Sequence, residues 1–289
     1  MKRWLVMIVL LWAGLTVQPA PVIADDLADD RIAQSAVEGR LWAALRLDDL
    51  LPILQSEALV QADDMAAILF ERGSDAGWVD RVAEIHDPQR LAELLREGMT
   101  TALAEQPTES ISAGVAFYET DLGRQIARLD LQGRQAMLDS DTEAAAIAAY
   151  RDAERIGGQR VDQLQELLDQ TDLIEQNVAS GLNAALAFAY GFADAGGYQV
   201  PMSEAEILAE TWAQEGEIRS QTQEWIMAYL YLAYAPLTED ELGAFVRFAT
   251  SDAGRALWST QMSGFDHVYR TTSYDMGQAA ALHISGRQL

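Results

Sequence analysis

The chain has 289 residues, of which 49% are hydrophobic, and it contains 20 Lys and Arg against 45 Asp and Glu, for a formal net charge of −25. This negative charge repels nucleic acid and anionic lipid surfaces, which are therefore excluded as favourable partners. It is typical of a solubility adaptation, and it also suits cationic partners. The chain has no Cys, so it has no disulfides and no lipid-modified Cys, and its stability must come from a hydrophobic core.

The first residues have the features of a signal peptide. Lys2 and Arg3 precede an apolar run at residues 4–17, and a segment of compact residues ends at Ala24. Signal peptidase accepts such residues before its cut, so we predict cleavage after Ala24 and export to the periplasm. The run is shorter than the roughly 20 residues of a membrane-spanning helix, although a retained anchor is the alternative. No later segment predicts a membrane span, and loss of Lys2 and Arg3 would bring the net charge from −25 to −27.

Helical periodicity runs through the rest of the chain, and the alternation typical of strands is nearly absent. Apolar residues recur three and four positions apart, as in Leu91, Leu94, Leu95 and Met99. We therefore predict an all-α fold, a multi-helix bundle. Residues 204–234 predict one long helix that bends at Gly216, and the tail after residue 271 is weakly patterned and is expected to fray.

Three predicted helix starts have the pattern of a capping box. In this arrangement a hydroxyl side chain and a carboxylate three residues later satisfy free backbone amides. The three pairs are Ser140 with Glu143, Ser203 with Glu206, and Thr238 with Glu241.

A motif occurs twice, at residues 108–126 and, 131 positions later, at 239–257, with six identities in 19 aligned positions. Its residues are Phe117, Tyr118, Thr120, Asp121, Gly123 and Arg124 in the first copy, and Phe248, Ser251, Asp252, Gly254 and Arg255 in the second. In each copy we predict a helix, a turn whose hydroxyl residue caps a second helix, and a Gly that lets the two helices pack closely. The repeat also predicts two related halves, at residues 25–139 and 140–289.

The segments LTEDELGAFVRFATSDAGRAL at 237–257 and AFYETDLGRQIARL at 116–129 resemble the bacterial family called domain of unknown function 2059. The resemblance implies an exported helical protein and implies no reaction. The chain departs from the family pattern in three ways. Ala249 replaces the second ring of a Phe-Tyr pair, Asp121 and Asp252 stand where Pro is usual, and Gln125 and Ala256 replace a Lys.

None of the three histidines predicts a catalytic or metal site. His86, His267 and His283 lack metal-ligand spacing, and we interpret them as structural or surface residues. The alternative is an acid–base pair of His267 with its neighbour Asp266.

The acids near residue 140 only partly resemble a calcium loop. Asp139, Asp141 and Glu143 match the first ligands of an EF-hand, but Ala144 and Tyr150 replace its Gly and its last Glu. We interpret these acids as a helix N-terminus. The chain also lacks nucleophile motifs and phosphate-binding loops, so we predict no catalytic residue, no metal and no cofactor.

Aromatic side chains recur on two predicted helices. Phe188 and Phe192 share one helix face, and Trp225 and Tyr229 share another, four residues apart in each case. Together with Trp212 they predict either an apolar groove for a partner or ligand, or simply a packed core.

Three hypotheses for function follow from these observations. The first is a non-enzymatic interaction or chaperone-like protein that holds an unidentified protein or peptide. The second is a binder of small amphipathic ligands between helices. The third is an envelope hydrolase that uses a pair of carboxylates. The sequence leaves the partner and the oligomeric state open.

Overall fold

The computed structural model describes residues 36–286, and these residues form helices and no strands. The all-α prediction is therefore confirmed. Residues 36–44 are α1, and the predicted signal peptide lies outside the described residues. The helices that follow are α2 (Leu47–Leu69), α3 (Ala76–Ile85), α4 (Pro88–Leu103), α5 (Thr108–Tyr118), α6 (Asp121–Met137), α7 (Ser140–Ile156), α8 (Gln159–Thr171), α9 (Leu173–Asp194), α10 (Glu204–Trp212), α11 (Glu215–Ala233), α12 (Glu239–Ala249) and α13 (Asp252–Ile284).

Two of the three predicted capping boxes are present. Ser203 with Glu206 starts α10, and Thr238 with Glu241 starts α12. The prediction for α7 was wrong, because Asp139 caps this helix by accepting a hydrogen bond from the Thr142 amide at 2.8 Å. A carboxylate is as good an N-cap as a hydroxyl. Helix α7 therefore begins at Ser140, one residue earlier than predicted.

Two further predictions from the sequence were wrong. Residues 204–234 form two helices rather than one, and the chain turns at residues 213–214, just before Gly216. The tail after residue 271 does not fray, because α13 continues to Ile284 and buries Met276 and Ala280. Small side chains produce a weak apolar pattern, yet they allow the closest helix packing.

Helix α13 has 33 residues and packs against α3, α4, α5 and α9. Glycines make close approaches to neighbouring helices possible. A Cβ on Gly98 of α4 would lie 2.6 Å from the Ser263 carbonyl oxygen, and a Cβ on Gly277 would collide with the Phe188 carbonyl oxygen of α9. The helix backbones therefore touch directly, with no side chain between them.

The main hydrophobic cluster extends from Leu41 in α1 to Tyr269 in α13 and includes residues on both sides of position 140. A second cluster joins α2 and α3 to the end of α13, around Phe70, Trp78 and Ala280. The two predicted halves thus share one core. None of the described helices combines the length and the apolar character that a bilayer span requires.

We expect Gly277→Ala to lower the free energy of unfolding by about 1–3 kcal/mol, because its methyl group collides with the backbone of α9. The matched control is Gly216→Ala in α11, where an added Cβ meets nothing within 4 Å. This control should raise stability by about 0.5 kcal/mol, because Ala has less backbone entropy to lose. Urea denaturation measures both changes, and equal effects of the two substitutions would contradict the close approach.

Candidate functional site

The repeated motif folds into the same hairpin in both copies. Helices α5 and α12 end, and α6 and α13 begin, at positions 131 residues apart. The Thr120 hydroxyl accepts a hydrogen bond from the Gly123 amide at 3.0 Å, and the Ser251 hydroxyl accepts one from the Gly254 amide at 3.2 Å. The predicted caps are therefore present, and both glycines lie against the carbonyl group at the end of the preceding helix.

The motif arginines also have matching contacts. Arg124 donates to the Glu119 carbonyl oxygen, and Arg255 donates to the Thr250 carbonyl oxygen at 2.6 Å and 2.9 Å. Each guanidinium thus binds a backbone carbonyl at the end of the preceding helix. Asp121 pairs with Arg124, and Asp252 is exposed in the first turn of α13.

The two copies touch through equivalent aromatic rings. Phe117 and Phe248 stack with ring centroids 3.6 Å apart and an interplanar angle of 7°. Tyr118 packs edge-on against Phe248 at 5.8 Å, and Ala249 is small and fully buried at the equivalent position. Tyr118, which has no counterpart ring at Ala249, lines a cavity.

The predicted groove residues occupy three separate places. Trp225 and Tyr229 stack at 5.2 Å and belong to the main cluster, whereas Phe188 and Phe192 belong to the second cluster. Trp212 lies at the surface, 60% exposed. The five side chains therefore do not form one groove, because α10 and α11 are separate helices and α9 turns its aromatic face toward the end of α13.

A cavity of about 80 Å³ lies between the turn that joins α1 to α2 and helices α2, α5, α6, α11 and α13. We call it the Asp130 cavity. Its lining residues are Leu45, Leu47, Leu50, Tyr118, Ala127, Asp130, Leu131, Arg134, Tyr229, Trp258, Gln261 and Phe265. A water molecule needs roughly 10–15 Å³ by this measure, so the void exceeds the size of one water.

Asp130 is the only carboxylate that lines this cavity. Its Oδ1 accepts a hydrogen bond from the Tyr234 hydroxyl at 2.7 Å, and the Tyr229 hydroxyl lies 3.2 Å from the Asp130 backbone oxygen and 3.4 Å from Oδ1. Its other oxygen, Oδ2, accepts no hydrogen bond from the described residues. Burial raises the pKa of Asp130 to about 6, although the two tyrosines and Arg134 oppose this shift. The cavity therefore has one carboxylate oxygen free to accept a hydrogen bond.

Arg134 lies one turn after Asp130 on α6 and is neutralised by another residue. It binds Glu57 of α2 through two nitrogens, at 2.8 Å and 3.0 Å. Burial lowers the pKa of Arg134, but the attraction and hydrogen bonds of Glu57, together with the nearby Tyr269 and Tyr229, raise the pKa overall. Arg134 and Glu57 therefore form a charged pair with no net charge, and the ionised Asp130 adds one negative charge.

Apart from Gln261, the rest of the cavity wall is aromatic and aliphatic. The Tyr118 hydroxyl has no hydrogen-bond partner among residues 36–286, and its pKa is raised by burial and by Asp130. The rings of Tyr229, Trp258 and Phe265 complete the aromatic side. An aromatic wall with one net negative charge attracts a small cation, both by direct charge attraction and through the negative ring faces.

Two of the cavity residues, Tyr118 and Tyr229, were among the site residues predicted from the sequence. Asp130, Arg134 and Glu57 were missed. The sequence pattern of α6 could have revealed two of them. Ile126 and Leu131 mark the apolar, buried face of this helix, and Asp130 and Arg134 occupy positions on the same face. A charged residue at a position that faces the core is expected to have a buried partner.

The histidines have structural surroundings. His86 is buried, with Nδ1 3.0 Å from the Val82 carbonyl oxygen, and burial lowers its pKa to about 4. His267 lies 3.3 Å from Glu97, whereas Asp266 faces Arg270, so the alternative pairing of His267 with Asp266 was wrong. Alternate side chains on a helix point in different directions, and adjacent residues therefore rarely pair.

His283 packs against an aromatic ring and lies near an acid. Its ring centroid is 4.3 Å from that of Phe70, and its Nε2 is 3.6 Å from Asp75. Within the described residues, no three His, Asp or Glu side chains come together in a way that could hold a metal ion.

Comparison with known proteins adds no identification. No family matches the chain, and neither the curated proteins nor the solved structures include a match.

We expect His86 to make the protein less stable in acid. Its pKa is about 4 in the folded state and 6.5 as the ordinary value, so between these values the unfolded chain binds the proton and the folded protein does not. The unfolding free energy of the wild type, relative to His86→Gln, should rise from pH 4 to pH 6.5 by at most about 3 kcal/mol. Parallel denaturation curves for the two proteins across this range would contradict the assignment.

Proposed function

We propose that this protein binds a small organic amine in the Asp130 cavity without converting it. The observation that carries the proposal is the free Oδ2 of Asp130 in a cavity whose wall is aromatic and aliphatic apart from Gln261 and Arg134, which is paired with Glu57. A protonated amine would donate to this oxygen and to no competing acid, because Glu57 is occupied by Arg134. The Tyr118 hydroxyl is available to accept a second hydrogen bond from the same group.

The size of the cavity limits the ligand. A cavity of about 150 Å³ is large enough for benzene, so about 80 Å³ suits three or four non-hydrogen atoms. The occupant is therefore a short alkylamine, or the cationic end of a longer molecule that enters from the surface. The single lining carboxylate favours binding over glycoside hydrolysis, which uses two carboxylates on opposite sides of a bond.

We propose further that the mature protein is located in the periplasm. Cleavage after Ala24 and export would place the mature chain in the periplasm, although these residues lie outside the described part of the chain. The resemblance of the hairpin segments to domain of unknown function 2059, which implies an exported helical protein, motivates this location. In this setting the protein would hold an amine rather than act as an enzyme.

We expect Asp130→Asn to weaken binding of n-propylamine at least tenfold, because an amide cannot neutralise the ammonium group. With four non-hydrogen atoms, the wild-type dissociation constant should be no tighter than about 40 µM, from a ceiling of about 1.5 kcal/mol per atom. Isothermal titration calorimetry or ligand-detected NMR measures the affinity. Asp169→Asn, an exposed change of equal charge on α8, is the matched control and should bind like the wild type.

Ligand controls separate charge from shape in the same experiment. n-Propanol has the same length without the charge, and propionate has the opposite charge, so both should bind at least tenfold more weakly than n-propylamine. Tyr118→Phe, which keeps the ring, is a second cavity variant and should reduce affinity severalfold. Equal binding by the wild type and Asp130→Asn, with both folded by circular dichroism, would disprove the proposed function.

The affinity for n-propylamine should depend on pH. Asp130 has a pKa raised to about 6, so at pH 5 about one tenth of the free protein has an ionised carboxylate. The amine itself stays protonated throughout this range, because alkylamines titrate near pH 10. Binding should thus be about tenfold weaker at pH 5 than at pH 8. A pH-independent affinity in titrations with the wild type would show that Asp130 is not the acceptor.

A further inference from the structure

Helix α10 presents apolar side chains to solvent. Leu208 is 42% exposed and Trp212 is 60% exposed, and Ala205 and Ala209 are also at the surface. These positions follow the spacing of one helix face, with steps of three and four residues. We call this set the α10 stripe. Solvent-facing positions of a helix are ordinarily polar, so a stripe of this kind indicates an interaction surface.

The opposite side of α10 is already packed. Ile207 and Thr211 are buried, and the helix packs on α9. The core therefore does not need the stripe. Trp212 is also unusual among the five tryptophans of the described chain, because it is the only one with more than half of its surface exposed. An exposed Trp is a common anchor in protein interfaces.

The charge around the stripe selects the partner. Residues 161–218 contain eleven Asp and Glu and no Lys, Arg or His, and two of these acids, Glu175 and Glu215, pair with Arg219. Glu204, Glu206 and Glu210 lie on α10 itself and are exposed. Neither Glu204 nor Glu210 forms an ion pair with any described residue. This field attracts cationic chains, and it repels both a second copy of the acidic protein and an anionic membrane.

We propose that the α10 stripe docks a basic amphipathic segment of another protein. Its apolar side chains cover Leu208 and Trp212, and its Lys and Arg side chains lie among the carboxylates of α10. Contact with an amphipathic helix is a familiar mode of peptide recognition, in which side chains three and four residues apart provide the anchors. The surface is separate from the Asp130 cavity, so it does not depend on the proposed amine binding.

The test uses the full-length mature chain and a synthetic 15-residue Leu/Lys amphipathic peptide labelled for fluorescence anisotropy. We expect Trp212→Ala to weaken peptide binding at least tenfold. The matched control is Ile156→Ala, an exposed apolar residue at the end of α7 with 77% of its surface accessible, and this variant should bind like the wild type. Because both changed residues are at the surface, neither variant is expected to lose its fold.

Further measurements decide between occupants. A Leu/Glu peptide of the same pattern should not bind, and raising the salt from 20 to 300 mM should weaken the Leu/Lys peptide severalfold. Equal binding of the Leu/Lys peptide by the wild type and Trp212→Ala would overturn the proposal. So would a homodimer in sedimentation analysis that Trp212→Ala dissociates, because the stripe would then be covered by a second copy. Asp130→Asn should leave peptide binding unchanged, which separates this surface from the cavity.

Discussion

Direct backbone contact along α13 is the constraint on which the rest of the fold depends. Gly98 and Gly264 bring α4 against one part of this helix, and Gly191 and Gly277 bring α9 against another. Where backbones touch, the positions of the two helices are fixed more narrowly than where long side chains separate them. Helix α13 thereby holds α3, α4 and α5 from the first half of the chain and α9 from the second half in one core.

The buried charges are compatible with this core because they are nearly all satisfied. Arg134 and Glu57 neutralise each other, and the tyrosines at 229 and 234 provide hydrogen bonds to Asp130. Burial of an isolated carboxylate costs free energy because the charge loses its hydration. Burial still raises the pKa of Asp130 despite its hydrogen bonds, so part of this free-energy cost remains. Oδ2 of Asp130 accepts no hydrogen bond from the described residues, so an ammonium group in the cavity could donate to it.

Local chemistry made much of this structure predictable from sequence. Apolar spacing gave the helices, and the hydroxyl residues at 120 and 251 marked the turns of both hairpins correctly. Long-range packing was not predictable, because the end of α13 is buried through small residues that leave little apolar pattern. The cavity was missed for a similar reason. The partner of Arg134 lies 77 residues away in the sequence, at Glu57, and no local spacing reveals such a pair.

The cavity and the α10 stripe have the same preference in charge and differ in scale. The net charge of −25 would draw cations toward the whole surface, which by itself discriminates little among them. Selection among cationic molecules therefore depends on the other properties of each site. The cavity adds a size limit of a few atoms and one free carboxylate oxygen, whereas the stripe adds the apolar area of Trp212 and Leu208. A free amine satisfies the first and cannot cover the second, so the two sites would recognise different cationic molecules.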